Sequence, residues 1–345
     1  MSDSKKVLVF CNPLLDISSN VSADFMAKYQ LQPGNAILAD EKLHNEDFFK
    51  DLQNQASVEY LPGGSGMNTA RVCSWIKQIN NDVSYMGCVG KDEYADKLTS
   101  QASKDGVNVD GMLVVQDGTS TGLCGVCITN KERSLVAALG AANKFTHEHL
   151  SKPAVQNLLN DAQIIYITGF CLTVSPQSVF EFAEHALSNN KIVAMNVSAP
   201  FIAQFFTEPL LKLVGLSDII LCNETEAKAL AQALAINGEM PLEEIAMHVL
   251  DKMEKQGGKR IVVFTSGADP TIVATDGKVT SYPVKAVSPD SIIDVNGAGD
   301  AFVGGFLAMY SQGKSIEQCV TTGHYAAGVI IQHSGCQFPS TPSLE

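Results

Sequence analysis

The feature that most restricts how this chain can fold is a repeated alternation of short β-type runs with amphipathic helical ones. "KVLVF", "VSYMGCVG", "QIIYITGF", "KIVAMNVS", "DIILCN" and "KRIVVFTSG" are short and rich in valine and isoleucine. Such runs suit strands buried on both faces. Between them lie "NTARVCSWIKQI", "DEYADKLTSQASKDG", "SPQSVFEFAEHALSNN" and "ETEAKALAQAL", with helical spacing of apolar residues. Alternation of this kind predicts a mostly parallel sheet covered by helices. Ligands of such sheets gather at the carboxyl ends of the strands. Ser175 and Pro176 predict one helix start, an N-cap followed by proline at the first helical position.

Two stretches break the rhythm. Residues 16–38 and about 113–141 read as strands and turns with a single short helix, "ADFMAKYQ". "LVVQDGTSTGLCGVCITNKERSLVAAL" reads as an antiparallel meander, with turn chemistry at Asp117-Gly118 and Asn130-Lys131. At 345 residues the chain is long for one compact domain. The expectation is a large α/β domain over 1–15, 39–112 and 142–345, with a discontinuous small lid over 16–38 and 113–141.

A formal charge of −13 argues against nucleic acid or an anionic membrane as partner. It leaves room for a phosphorylated ligand held by local positive potential. No apolar run reaches the length of a membrane span. The start "MSDSKKVLVF" lacks a secretory apolar core and "TPSLE" carries no retention address, so a cytoplasmic protein is expected. Nine cysteines scattered through the strand-like and helix-like runs fit reduced thiols. "CGVC" at 124–127 matches a redox spacing, but in an extended run Cys124 and Cys127 point to opposite faces.

Two nucleotide motifs fail. "GKS" at 313–315 is not a P-loop, because Ala308 stands where glycine is required and the stretch ends a helix instead of opening one. "NGAGDAF" fails the dinucleotide fingerprint at Phe302, which weakens a nicotinamide-dependent reading.

Four clusters remain. In "DVNGAGDAFVGGF", Gly297, Ala298 and Gly299 precede a run with helical spacing that ends at Gly313, so their amides would open a helix. Small residues there let an anion approach the backbone, and Asp300 follows immediately. A plain glycine turn with a helix-start carboxylate is the alternative. "LPGGSGMNTARVCSW" joins strand to helix through Gly63, Gly64, Ser65 and Gly66, followed by Asn68. Amides and a carboxamide suit a polyhydroxylated ligand, or merely a flexible turn. In "CNPLLDIS", Asp16 sits after the first strand and would hold a cis-diol, or an Asx turn. In "CNETEAKAL", Asn223 and Glu226 would reach a water-clad Mg²⁺, or simply cap a helix. Four such clusters in one chain favour a shared site.

At these residues the sequence resembles the ribokinase-type (PfkB) sugar and nucleoside kinases, through "PGGSGMNTA" and "DVNGAGDAFVGGF". "NPLLDIS", "ERSLVAAL", "ITGFCLTVSPQSV", "NVSAPFIAQFF", "CNETEA" and "GHYAAGVII" bring it closer to the family's adenosine kinases, over residues 7 to 339. The resemblance implies a ribokinase-like three-layer α/β sandwich with a small β-rich lid, acting as a monomer on adenosine and ATP with Mg²⁺. Asp300 would take the proton from the 5′-hydroxyl of adenosine. Gly297, Ala298 and Gly299 would hold charge on the transferred phosphoryl group, and Arg133 would swing in from the lid to clamp the γ-phosphate. Asn12, Asp16, Gly64 and Asn68 would bind the ribose, with Gly63 and Asn296 also among the substrate-binding residues. Leu14, Ser65, Cys124, Leu135, Phe170 and Phe201 would surround the purine. Asn223 and Glu226 would order Mg²⁺ through water, while Thr265, Gly267, His324 and Ala327 would sit near ATP. His324, on an apolar helix face, has a second reading as a hydrogen-bonded core histidine. The family signature usually carries threonine where Val295 stands, which leaves details of nucleotide and cation binding open. Another nucleoside or sugar as acceptor, and a non-catalytic nucleoside-binding protein, are the competing readings.

Overall fold

The computed structural model describes residues 4–129, 132–253 and 260–344, so the turn expected at Asn130-Lys131 lies outside the described residues. A nine-stranded sheet runs through the large body in the order Val107–Asn108, Val83–Met86, Val7–Phe10, Ile164–Thr168, Ile192–Asn196, Ile219–Asn223, Ile261–Ser266, Asp269–Thr275, Lys278–Tyr282. Its first seven strands pair in parallel and the last two are antiparallel. The valine- and isoleucine-rich runs are buried on both faces, with Leu8, Val9, Ile165, Tyr166, Ala194, Ile220 and Val262 all fully covered. That burial is what the unbroken apolar character of those runs requires.

Parallel register has a consequence for the site. Five adjacent strands end at the same sheet edge, so Asn12, Phe170, Asn196, Asn223 and Thr265, each at or just past a strand end, line one cavity. Side chains more than 250 residues apart in sequence are thereby gathered without any local signal of the gathering.

A second, five-stranded sheet orders as Ala36–Leu38, Glu132–Ala138, Leu123–Thr129, Leu14–Asn20, Glu59–Gly63. It differs from the expected lid in two ways. Glu59–Gly63, expected in the large domain, pairs antiparallel with Leu14–Asn20. Its "EYLPG" sequence hides this, because proline is tolerated in a sheet only where no partner needs its missing N–H, here on an edge strand. Leu113–Val114, expected in the meander, instead pairs in parallel with Cys88–Val89. The antiparallel hairpin itself is present between Leu123–Thr129 and Glu132–Ala138. The Asp117-Gly118 turn forms as expected, with Gly118 at φ +85° and Asp117 Oδ1 accepting from the Thr119 N–H at 3.0 Å.

The Ser175 helix start also differs in detail. Pro176 opens the helix Pro176–Ser188, but the Ser175 hydroxyl makes no cap and pairs with the Ser178 hydroxyl at 2.7 Å. "GKS" is the joint between helices Ala298–Ser311 and Ile316–Ile330, where Gly313 sits at φ +70° and Ser315 caps the second helix.

Arg71 ties the site's glycine-rich helix into the body. Buried in the helix Ser65–Lys77, it pairs with Asp105 at 2.6 Å and donates to the carbonyls of Pro62 and Cys336. Truncation leaves Asp105 half of a broken ion pair and two carbonyls unanswered. Arg71→Ala is therefore expected to cost about 3 kcal/mol of folding free energy, measured by denaturant unfolding. A loss below about 0.5 kcal/mol would show the pair to be energetically idle.

Candidate active site

A cavity of about 840 Å³ lies between the carboxyl edge of the large sheet and the small sheet. The small sheet's contribution follows from strand periodicity. Leu14 and Asp16, Cys124 and Val126, and Arg133, Leu135 and Ala137 alternate onto the cavity face. Leu15, Ile17, Cys127 and Val136 turn to the other face and join the main core. Leu14, Cys124 and Val126, with Leu135, Ala137 and Leu139, form a separate apolar cluster. Cys124 and Cys127 thus sit on opposite faces, and all nine cysteines are free. Facing this cluster are Phe170 and Phe201, whose ring centroids lie 6.1 Å apart.

At the opposite end stands the glycine-rich turn. Gly297, at φ +78°, is the N-cap of the helix Ala298–Ser311, whose first bond runs from the Ala301 N–H to Gly297 O at 2.8 Å. The amides ahead of that bond have no helical acceptor. One of them differs from expectation, since the Ala298 N–H reaches back to Val295 O at 3.3 Å. A Cβ on Gly299 would meet no protein atom within 4 Å, so packing does not call for glycine there; the space it leaves opens on the cavity. Gly304 and Gly305 are different. A Cβ on either would come within 2.8 Å of a neighbouring helix backbone, at Thr69 O and Thr322 O, so these two let three helices pack.

Asp300 is held from the other glycine-rich segment. Ser65 Oγ donates to its Oδ1 at 2.6 Å and Asn68 Nδ2 to its Oδ2 at 3.0 Å. Burial pushes its carboxyl up to about 6, against the lowering effect of those two donors. A helix terminus favours the ionised carboxylate and desolvation the neutral one; at about 6 the group is raised yet still ionised near neutral pH. Asn68 spends its amide nitrogen on Asp300, and its Oδ1 is buried with no partner. Buried acceptors are rarely left so unless something else answers them.

Asp16 is similarly unanswered. No side-chain hydrogen bond or ion pair engages it among the described residues, and it lines the cavity. Burial pushes it up to about 7, while Arg71 and Arg133 pull it down. Gly63 is packed beneath it, where a Cβ would fall 2.0 Å from Asp16 Oδ1.

These paired glycine-rich segments, meeting at one carboxylate, match the pfkB carbohydrate-kinase family over residues 34–344. The chain belongs to the pfkB carbohydrate-kinase family. Among its relatives is adenosine kinase 2 of Arabidopsis thaliana, 43% identical over 334 residues and covering 96% of this chain and 95% of that one. The structure of Trypanosoma brucei brucei adenosine kinase without ligand superposes with a TM-score of 0.90 at 40% identity, over 96% of this chain and 99% of that one. Anopheles gambiae adenosine kinase in complex with P1,P4-di(adenosine-5) tetraphosphate gives 0.88 at 40% identity, over 98% and 99%. Within the pfkB family the chain falls in the adenosine kinase group.

The remaining family-derived positions distribute as follows. Asn12, Gly64, Asn223, Thr265 and Asn296 line the cavity; Gly63, Ala298, Gly267, His324 and Ala327 do not. His324 Nε2 is 2.8 Å from Thr271 Oγ1, its ring lies against Phe302, and burial lowers its pKa. Val295 is 66% exposed. Asn223 and Glu226 form a capping box: Asn223 Oδ1 accepts from the Glu226 N–H at 2.9 Å, and Glu226 Oε2 accepts from the Asn223 N–H at 3.2 Å, with a further bond from Asn223 Nδ2 to Glu226 Oε1 at 2.7 Å. Both also face the cavity. Glu226 is pushed up to about 7, first by burial and also by the Asp300 charge, opposed by its bonds to Asn223. A buried carboxylate in that state fits a nearby cation. Magnesium needs few direct protein ligands, and among the described residues no group of three or more acidic, His or Cys side chains is gathered to hold an ion directly.

Arg133 is already engaged. Its Nη1 pairs with Asp294 Oδ2 at 3.1 Å and its Nη2 donates to Ser334 Oγ. Asp294 went unread in the sequence although it opens the pfkB motif. Its other oxygen takes the Asn296 amide and side chain at 3.0 Å each, and Oδ2 also accepts from the Gly335 N–H at 3.1 Å. Asn196 and Ser198 were also missed. Ser198, at φ +73°, donates to Asn196 Oδ1 and accepts from the Phe170 N–H, which fixes the aromatic wall. A positive φ at serine leaves no readable trace in "NVSAP".

Proposed function

We propose that this chain transfers the γ-phosphoryl group of ATP to the 5′-hydroxyl of adenosine, giving AMP and ADP. The observation that carries this reading is one cavity holding two unanswered polar groups beside an apolar slot, with the Asp300 turn at its end. Asp16 and the free Oδ1 of Asn68 are acceptors waiting for hydroxyls. A ribose supplies such hydroxyls in a vicinal pair, and a purine fits between the Leu14–Cys124–Leu135 face and Phe170 with Phe201.

Asp300 takes the proton of the 5′-hydroxyl while the Gly297 and Gly299 amides, with that of Asp300, receive charge on the transferred group. Phosphoryl transfer asks chiefly for in-line positioning and charge stabilisation, which an open helix turn offers. Ser65 and Asn68 aim the Asp300 carboxylate. Arg133 exchanges Asp294 for the γ-phosphate as the small sheet, the proposed lid, settles over both substrates. Asn223 and Glu226 would hold a hydrated magnesium ion, which when bound neutralises phosphate charge; Thr265 lies on the ATP side. His324 serves that side indirectly, through Thr271.

A monomer is the proposed working unit. Nine free, buried thiols support a reducing cytoplasm, and no described helix is long and apolar enough to cross a membrane. The deciding experiment is ADP release with ATP and Mg²⁺ across a panel of nucleosides and sugars. Adenosine should give the highest kcat/KM, and a sugar ahead of it would overturn the assignment.

Asp16 gives a sharper test. Without the 2′-hydroxyl its carboxylate stays underpaired, so 2′-deoxyadenosine should lose about 1–3 kcal/mol in kcat/KM. Because Asp16 accepts hydroxyls best when ionised and sits at about 7, adenosine affinity should weaken as pH falls through 7 and level off above it. Calorimetric titration of adenosine at several pH values reads this directly; a flat profile would remove Asp16 from the diol.

A further inference from the structure

We propose that Cys11, which lines the cavity, and Cys171, buried behind it, form a peroxide-responsive dithiol, and that closing it to a disulfide switches the enzyme off. Cys11 follows the strand Val7–Phe10, and Cys171 lies in the short turn after Ile164–Thr168; these strands are parallel neighbours, with Phe10 opposite Ile167. The Thr168 hydroxyl touches both sulfurs, donating to Cys11 Sγ at 2.9 Å and lying 3.5 Å from Cys171 Sγ. Cys171 Sγ also donates to Phe10 O at 3.2 Å, which holds it against the peptide that enters Cys11.

The two thiols are electrically unlike. Burial works to raise Cys11, but hydrogen bonds from Cys171, Thr168 and the backbone amides of Gly66 and Asn12 outweigh it and hold this thiol below its ordinary value. Burial leaves Cys171 well above. Cys124, Cys222 and Cys336 also line the cavity, and burial raises all three. Cys11 is thus the cavity-facing sulfur whose pKa its hydrogen bonds hold down, and the thiolate is the nucleophile.

The chemistry balances with a hydroperoxide as oxidant. Cys11 thiolate attacks one peroxide oxygen; the O–O bond breaks, the sulfenic acid forms, and the departing hydroxide takes a proton to become water. Cys171 then loses its proton, attacks the Cys11 sulfur and expels hydroxide, which leaves as a second water. Two thiols are oxidised and one peroxide is reduced.

Inactivation follows from the packing around Cys11. A Cβ on Gly66 would fall 2.2 Å from Cys11 Cβ, so no slack separates Cys11 from the first turn of Ser65–Lys77. That same turn carries Ser65 and Asn68, the two side chains that aim Asp300. Drawing Cys11 towards Cys171 breaks the Gly66 contact and displaces the neighbouring Asn12. The switch rests on the reading of this cavity as the active site, but the cross-link itself does not.

The test uses the reduced full-length protein, treated with hydrogen peroxide after removal of reductant. Wild type should lose most of its ADP-release activity, regain it with dithiothreitol, and be protected by adenosine. Peptide mass spectrometry should show the Cys11 and Cys171 peptides joined and two hydrogens lighter. Cys171→Ser should keep basal turnover, form no cross-link, and carry a dimedone-trappable sulfenic acid on Cys11. Failure of the cross-link to form, or a cross-linked enzyme with full turnover, would overturn the proposal. If reduced protein phosphorylates no adenosine, the functional reading fails instead, and the cross-link is still read by mass.

Discussion

Asp300→Asn is expected to lower kcat by about 10²–10⁴-fold while adenosine affinity changes little. Asparagine keeps the shape of the side chain, and Ser65 can still donate to its oxygen. What disappears is the basic carboxylate that lines the cavity at the helix start. The magnitude is that of a general base removed without collapse of the positioning groups around it. The pH profile supplies a second reading. With Asp300 at about 6, wild-type kcat should fall as pH drops through 6, because protonation disables the base, and hold steady above it. The variant's residual rate should lack that acid limb. Coupled ADP-release kinetics give kcat, and calorimetry gives the adenosine affinity. A variant within tenfold of wild type would remove Asp300 from the proton transfer.

Arg133→Ala is expected to lower kcat by about 10²–10³-fold, the cost of losing one preorganised donor to transition-state charge. Adenosine affinity should fall much less, since the guanidinium acts on the shared phosphoryl group and not on the nucleoside. Its ion pair with Asp294 complicates the experiment. The side chains of this pair are only 9% and 2% exposed, so breaking it leaves a buried carboxylate uncompensated and should also lower the melting temperature. Asp294→Asn separates the two effects. It breaks the same pair but leaves the cation free, so it should destabilise comparably and slow turnover far less. Arg133→Lys keeps the charge and loses the two-pronged geometry, and should recover only part of the rate. Equal kcat losses in Arg133→Ala and Asp294→Asn would mean that Arg133 only fastens the small sheet down.

How much of this was legible beforehand depended on whether the signal was local. Gly297, Gly299 and Asp300 could be read because anion-binding chemistry at a helix start is written in adjacent residues. Gly304 and Gly305 in the same stretch belong to helix packing instead, and nothing in a run of glycines says whether a ligand or a neighbouring backbone fills the space. Asn223 and Glu226 show the converse difficulty. The capping reading and the cavity-facing reading both describe them, because a strand end that opens a helix is also a sheet edge. The strand ahead of Gly63 was readable, but its place in the small sheet was not, because nothing local in "EYLPG" says which sheet an edge strand joins. How far burial raises Asp300 has no local signal, because the desolvation comes from neighbours distant in the chain.

The sequence by itself determined the alternating strand–helix architecture, the helix start that presents bare amides, and the carboxylates available for chemistry. These follow from periodicities and caps spanning fewer than about 20 residues, where backbone sterics and local hydrogen bonds decide. Only the tertiary structure decided that Asp16 and Asn68 Oδ1 stay unanswered, that Arg133 rests on Asp294, and that Cys11 shares Thr168 with Cys171. Burial, charge proximity and hydrogen-bond satisfaction are properties of what surrounds a group in space. Parallel strand register, not sequence spacing, sets those surroundings here.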